Sequence, residues 1–230
     1  MWLRHWRPYK HWRRRPLLRL KHGYSRTGRF WVGLLVSFSL STTIKSVAAD
    51  YRVEGQAVAD ANRCLECHGS DGYSSDAKIP HHAGQLSAYL VKQLDDFQSG
   101  ARQHETMTLM AEDLTAGEIA QIAGYFASLG QMQGEAIASL ETSKNLFAQG
   151  DPARGIKACA SCHGDRGKGR VADNVVYPLI GGQRRNYLYA QLVNWKLGER
   201  NNSPNGVMND IAKRLDDAEM EGLANYISGL

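Results

Sequence analysis

The sequence predicts an all-α protein built from two small, similar helical domains in tandem. Three observations support this fold class. The part of the chain after residue 49 repeats itself imperfectly, its apolar side chains recur at helical spacing, and each repeat contains one Cys-x-x-Cys-His motif. No segment has a convincing strand pattern. We therefore expect one domain at residues 50–135 and a second at residues 136–230.

The first 49 residues have the composition of an export signal. Residues 1–45 contain eleven Lys or Arg and no acidic residue, residues 30–40 are mostly apolar, and small residues follow as far as Ala49. This order predicts a secretory signal peptide at residues 1–49, cleaved after Ala49. An uncleaved anchor is the alternative, although the apolar run is shorter than the ~20 residues that a membrane span needs.

Removing the leader reverses the charge of the protein. The whole chain has 28 basic and 23 acidic side chains, and 17 basic ones remain after residue 49, which leaves about six negative charges. The basic isoelectric point therefore belongs to the leader. No basic stripe with interleaved aromatic residues is present, so we expect no nucleic-acid partner.

The two cysteine motifs have the spacing of c-type haem attachment sites. They contain all four cysteines and the histidines that follow them: Cys64, Cys67 and His68, and Cys159, Cys162 and His163. In such motifs the thiols form thioethers with haem vinyl groups and the histidine binds the iron. Zinc is disfavoured because the pairs lie 95 residues apart, and a thioredoxin-like dithiol because strands are absent from the pattern. A disulfide framework leaves the histidines unexplained. We predict two covalently bound haem c groups.

Each repeat is expected to form three main helices. The predicted ranges are 51–63, 85–99 and a third helix from Thr115 in the first repeat, and 141–150, 183–197 and a third helix from Asp216 in the second. Both third helices open with a capping box, because a Glu stands three residues after the Thr or Asp. The offset between the repeats is 95 at the haem motifs, 98 along the second helix and 101 from the methionines onward. The two steps of three residues predict loop insertions in the second repeat.

Methionine is the expected sixth iron ligand, since Met/His ligation raises the reduction potential of a haem that carries electrons. The candidates are Met107, Met110, His81, His82 and His104 in the first repeat, and Met208 and Met220 in the second. Met107 and Met208 match in position, seven residues before a Leu and 18 before a Tyr, whereas Ile211 stands opposite Met110. Met220 has the helical spacing of a core residue. We predict Met107 and Met208 as ligands, each in an extended loop.

Three other pairs recur in both repeats: Pro80 and Pro178, Tyr89 and Tyr187, and Arg102 and Arg200. The carbonyl of each proline is a candidate acceptor for the Nδ1–H of the haem histidine, and an ordinary turn proline is the equal alternative. For the tyrosines we favour packing between domains and for the arginines a solvated face. Contacts of either pair with haem or its propionates are the alternatives.

On these features the chain resembles the cytochrome c4 family, dihaem c-type cytochromes of the bacterial periplasm. The resemblance covers residues 50–230 and rests on the two Cys-x-x-Cys-His motifs, the repeated Gly-Gln-x-x-x-Tyr-Leu-x-x-Gln-Leu block, and the placement of Met107 and Met208. It implies two class I cytochrome c domains related by pseudo-twofold symmetry, with the ligand pairs His68/Met107 and His163/Met208. It also implies a respiratory protein, soluble or peripherally held at the membrane. Such a protein takes electrons from a cytochrome complex or small copper protein and delivers them to a terminal oxidase.

One position departs from the family pattern, because His82 stands where the second repeat has the apolar Ile180. A hydrogen bond from His82 to a propionate or water is the default interpretation. A pH-dependent potential near neutrality and competition with Met107 for iron are the alternatives.

An electron carrier without enzymatic activity is the expected function. A dihaem subunit of a dehydrogenase complex, such as a flavoprotein sulfide dehydrogenase, is the main alternative, because one fold serves several functions. A dihaem peroxidase is a further alternative, and it needs an open iron coordination site that the matching methionines argue against.

Overall fold

The computed structural model of the chain describes residues 52–134 and 141–230. The predicted leader, residues 1–49, and the predicted domain boundary between residues 135 and 136 lie outside these ranges. Within the two ranges, no helix is long and apolar enough to cross a membrane.

The first repeat is helical throughout its regular structure. Its helices are α1 (52–61), α2 (Cys64–His68), α3 (Ser87–Gln98), α4 (Glu105–Ala111) and α5 (Ala116–Ser128). The predicted capping box is present at the start of α5, where the Thr115 side chain accepts from the Glu118 backbone and the Glu118 side chain accepts from the Thr115 backbone.

The second repeat has the same helices in the same order. They are α6 (Glu141–Gln149), α7 (Cys159–His163), α8 (Arg185–Leu197), α9 (Val207–Ala212) and α10 (Asp217–Ser228). Asp216 and Glu219 form the predicted capping box of α10. The all-α prediction is therefore confirmed, with one small hairpin added to it.

The hairpin occupies the first predicted insertion. Strands β1 (Arg170–Ala172) and β2 (Val175–Tyr177) pair antiparallel and are joined by Asp173 and Asn174, which have φ values of 50° and 61°. Two successive left-handed residues are typical of a two-residue hairpin turn whose twist matches that of the strands. The second insertion forms a 3₁₀ turn at Pro204–Gly206, directly before α9. The sequence pattern had suggested no strands because each strand is only three residues long.

Each repeat has its own hydrophobic core. In the first, Ile122 and Phe126 of α5 pack with Leu90 of α3, and the core residues all fall between 58 and 129. In the second, Leu223 of α10 packs with Leu188 of α8, and the core residues fall between 146 and 230. Each core is therefore built from residues of one repeat alone.

A glycine fixes the entry to the second helix in both repeats. Gly84 and Gly182 have positive φ, and their N–H groups each donate a 3.0 Å hydrogen bond to a carbonyl at the end of the third helix, that of Phe126 or Ile227. A Cβ at Gly84 would lie 2.5 Å from the Cα of Gln131. The glycine is therefore required by both backbone conformation and space, and it brings the next residue, a glutamine, to the contact between repeats.

Candidate haem-binding sites

Each cysteine motif forms a single helical turn that carries two thiols and one imidazole. Cys64 and His68 are the first and last residues of α2, and Cys159 and His163 have the same places in α7. None of the four cysteines forms a disulfide, so each sulfur is available for a thioether. Before a haem is attached, burial raises the pKa of the Cys64 and Cys159 thiols to about 11.

The histidine rings are buried and oriented by proline carbonyls. The Nδ1 of His68 lies 3.0 Å from the carbonyl oxygen of Pro80, and the Nδ1 of His163 lies 2.9 Å from that of Pro178. Because a carbonyl only accepts, each Nδ1 carries the proton and Nε2 keeps its lone pair for a metal. Burial lowers the pKa of both imidazoles, and the bond to the carbonyl opposes this shift only in part. The proposed carbonyl contact is thus present in both repeats.

The two methionines lie on short helices and not in extended loops as predicted. Met107 is in α4, whose N-terminus is capped by His104: the ring Nδ1 accepts from the backbone N–H of Thr106 and of Met107 at 3.3 Å. The N–H of Met208 in α9 donates to the Ser203 hydroxyl at 3.2 Å. The His104 cap starts a helix that the apolar pattern alone does not reveal, whereas α9 begins after Gly206 without a side-chain cap. Both methionines are half-buried, and their pairing with the histidines stays a prediction.

His82 packs directly against the first haem histidine. Its ring is stacked on that of His68 at 4.1 Å between centroids and meets the edge of Phe126 at 5.2 Å. Burial, and secondarily the nearby His68, lower the pKa of His82 well below its usual value. This shift disfavours the alternative in which His82 titrates near neutrality. The stack also places the His82 ring on the His68 side of the predicted haem, which disfavours its competition with Met107 for the iron.

The recurring tyrosines and arginines form one network between the repeats. Arg102 donates to the side chains of Gln93, Tyr187 and Gln191 at 2.7, 3.2 and 3.0 Å, and Arg200 donates to those of Gln191, Tyr89 and Gln93 at 2.7, 3.2 and 2.9 Å. The tyrosines therefore pack between the repeats, as predicted. The solvated face predicted for the arginines is wrong, since Arg200 is only 5% exposed. The polar glutamines of the facing helices keep the guanidinium groups inside.

This network holds more positive than negative charge. Within the described ranges neither guanidinium pairs with a carboxylate, and the nearby Asp96 is bound by Lys92 and Asn202. Burial opposes ionisation of Tyr187, but the charges of Arg102 and Arg200 outweigh it and lower the pKa of the phenol. Buried cations of this kind need an anionic partner.

The donors present fit a haem in each repeat. Two thiols, a neutral imidazole and a cationic interior match the vinyl groups, the iron and the propionates of that cofactor. The indole Nε1 of Trp195 is buried without a hydrogen-bond partner in the described chain, which is the kind of donor that a propionate oxygen satisfies.

Sequence analysis missed the role of the two glutamines in the Gly-Gln pairs. The amide of Gln85 bonds both backbone groups of Leu179, and the amide of Gln183 bonds both backbone groups of His81, at 2.8–2.9 Å throughout. Both glutamines are buried, at 3% and 4% exposure. A glutamine stands at the same position of both repeats, next to a helix with an apolar face. This recurrence of a polar residue is the sequence feature that could have indicated its role.

Comparison with known proteins finds cytochromes of the c type. The cytochrome c family model matches residues 143–230. A cytochrome c4 of Thiocapsa roseopersicina is 37% identical over 168 residues, which cover 73% of this chain and 86% of the relative. A thiosulfate dehydrogenase electron acceptor of Stutzerimonas stutzeri is 34% identical over 200 residues, covering 84% of this chain and 91% of the relative.

A solved structure extends the likeness to the fold. The crystal structure of reduced recombinant cytochrome c4 from Pseudomonas stutzeri superposes with a TM-score of 0.71 and 34% identity. The match covers 77% of this chain and 97% of that one. Two tandem domains of one kind thus account for nearly the whole of the solved chain.

Proposed function

The chain belongs to the cytochrome c4 family of dihaem electron-transfer proteins, and from this premise we propose that it is a periplasmic shuttle of single electrons in a respiratory chain. It has two covalently bound haem c groups. Haem iron supplies the redox chemistry, because it takes up and releases one electron at a time. The observation that carries the proposal is the matching pair of sites, each with a buried histidine bonded to a proline carbonyl.

The proposed roles follow the sequence prediction residue by residue. Cys64 and Cys67 hold one haem and Cys159 and Cys162 the other, in domains at 50–135 and 136–230. The axial ligands are His68 with Met107 and His163 with Met208. With both axial positions filled there is no open site for a substrate, so we propose a carrier without enzymatic activity.

The interior arginines suit the cofactors of such a carrier. Arg102 and Arg200 meet only neutral acceptors in the described chain, so carboxylate groups brought by the two haems would balance their charge. A charge-balanced site whose polar groups are already fixed by hydrogen bonds reorganises little when an electron arrives, which favours rapid transfer.

A redox titration of the purified holoprotein tests the ligand set. We expect two reversible one-electron steps and, in the oxidised state, a sulfur-to-iron charge-transfer band from each haem. A band from only one haem would contradict the proposed pairs and reopen the peroxidase alternative, which turnover of hydrogen peroxide would then reveal.

We propose a terminal oxidase as the electron acceptor and a cytochrome complex or small copper protein as the donor. A second candidate follows from the relative named as a thiosulfate dehydrogenase electron acceptor, which this chain matches over most of its length. In that case the donor is a dehydrogenase, and the protein links it to the respiratory chain.

Stopped-flow mixing separates the two candidates. Oxidised protein is mixed with a thiosulfate dehydrogenase and its substrate, or with a reduced small copper protein, and reduced protein is mixed with oxidase-containing membranes. Fast reduction by the dehydrogenase supports the second candidate, and fast reduction by the copper protein supports the first. Failure of the oxidase membranes to reoxidise the protein would contradict the proposed acceptor. Because the chain after residue 49 is negative, the rates with a positively charged partner should fall with ionic strength.

A further inference from the structure

The glutamine of each repeat bonds the one peptide unit that orients the haem histidine of the other repeat. The carbonyl of Pro80 and the N–H of His81 belong to a single peptide group. Its oxygen lies 3.0 Å from Nδ1 of His68, and its N–H donates at 2.8 Å to the side-chain oxygen of Gln183. The peptide unit therefore stands between an imidazole of the first repeat and an amide of the second.

The same arrangement occurs in the opposite direction. The carbonyl of Pro178 lies 2.9 Å from Nδ1 of His163, and the N–H of Leu179 in that peptide unit donates at 2.9 Å to the side-chain oxygen of Gln85. The side chain at residue 81 or 179 differs between the repeats, but the backbone bonds do not. The backbone donors and acceptors leave the orientation of each glutamine amide unambiguous.

From these bonds we infer that Gln85 and Gln183 tune the haem of the opposite domain through the proximal histidine. The inference rests on the proposed function, in which His68 and His163 bind iron. A peptide whose N–H is bonded is polarised, so its oxygen becomes a better acceptor; bonds in such a chain strengthen one another by roughly 10–30%. A stronger Nδ1–H···O bond makes the imidazole a more basic ligand.

A more basic imidazole stabilises ferric over ferrous iron and so lowers the reduction potential. Each glutamine therefore lowers the reduction potential of the haem in the opposite repeat. It makes no such bond to the peptide that orients the histidine of its own repeat. Gln85 and Gln183 are positioning residues, because they touch neither the iron nor its ligand. They also make each potential depend on whether the two domains are in contact.

The test replaces each glutamine separately in the full holoprotein. Gln85→Leu should raise the potential of the second haem alone, and Gln183→Leu that of the first alone. We expect a change in the one-electron equilibrium constant of about two- to tenfold, or at most about 59 mV. The potentials are read per haem from NMR-monitored titration of assigned haem methyl signals. Gln98→Leu is the matched control, because Gln98 bonds backbone carbonyls of its own domain only, and it should shift neither potential.

A second readout follows the hydrogen bond itself. In the reduced, diamagnetic protein the Nδ1–H proton of the opposite histidine should move upfield in each Leu variant, since its bond weakens.

The crosswise pattern decides the inference. Shifts confined to the glutamine's own domain, equal shifts of both haems, or no shift at all would overturn it. Loss of the interface, visible as altered signals of Tyr89 and Tyr187 with equal shifts of both haems, counts among these outcomes. The proposed function is tested separately, by the redox titration of the unsubstituted protein. Two reversible one-electron steps there support it, whichever result the glutamine variants give.

Discussion

In the two repeats, equivalent backbone groups bond the haem histidine, but the side chains around it differ. The peptide after Pro80 and the peptide after Pro178 make equivalent bonds to an imidazole and to a glutamine of the other repeat. The residues that follow are His81 and His82 in the first repeat and Leu179 and Ile180 in the second. The second repeat also has Trp195 where the first has Phe97.

This difference shows which parts of the site are interchangeable. Because main-chain groups orient the histidine, the neighbouring side chains can change polarity without moving the ligand. The first site has the polar ring of His82 stacked on its histidine, whereas the histidine of the second site meets the edge of the Tyr177 ring at 6.4 Å. Polarity and hydrogen bonding around a haem set its potential, so the two haems should differ.

The largest effect on this comparison should come from the axial methionines. Met107→Leu should remove the charge-transfer band of the first haem only and lower its potential by about 0.1 V or more, within the ~0.8 V range that axial ligands span. Met208→Leu should do the same to the second haem. Met110→Leu, in the same helix as Met107, is the control and should leave the band intact. Retention of the band in Met107→Leu would mean that another residue is the ligand.

Exchange of the residue stacked on the histidine should have a smaller effect. His82→Ile gives the first repeat the residue that the second repeat has at this position. Because a less polar surrounding disfavours ferric iron, the first potential should rise by less than about 59 mV. Ile180→His should lower the second potential. The measurement is the separation between the two midpoints, which His82→Ile and Ile180→His should both narrow if the second haem has the higher potential. If neither variant moves a midpoint, the stacked ring has no electronic role.

His81 should make the stability of the first repeat depend on pH. Burial, followed by the charge of Arg184, lowers the pKa of His81 to about 4, and its Nδ1 accepts from the N–H of Ser74 at 2.9 Å. The unfolded chain, with an ordinary pKa of 6.5, takes up the proton first. The stabilisation is therefore complete above about pH 6.5 and is lost as the pH falls towards 4, at no more than ~1.4 kcal/mol per pH unit.

The variant His81→Asn tests this dependence, since an amide oxygen accepts from Ser74 without titrating. Denaturant unfolding between pH 4 and 7 should show a flatter profile in this variant than in the parent protein. Parallel profiles would mean that other groups cause the acid sensitivity.

The helix caps should give the smallest effect, and one that is equal in the two repeats. Thr115→Ala and Asp216→Ala each remove an acceptor for a backbone N–H at the start of the third helix, and each should cost about 1 kcal/mol of unfolding free energy. Thr142→Ala, at an exposed position in α6, is the control. Chemical denaturation measures all three, and a cost several times larger in one repeat would show that the repeats do not unfold alike.

Sequence patterns predicted the parts of this molecule that depend on local chemistry. Cys-x-x-Cys-His, the capping boxes and the apolar faces of the second and third helices act through neighbours in the chain. The carbonyl of Pro80 was an open alternative, because a turn proline and a hydrogen-bonding proline have the same sequence. Placement of Arg102 and Arg200 inside the protein was not predictable, since it depends on residues of the other repeat, such as Gln191 for Arg102.

The buried arginines also bear on how the protein matures. Their guanidinium groups have no carboxylate partner in the described chain, and an uncompensated buried charge costs several kcal/mol. In a chain without haem the interface between the two repeats should therefore be unstable. It should form only after both haems are attached. Proteases would then remove half-loaded chains, as faster digestion of a variant without Cys159 and Cys162 would show.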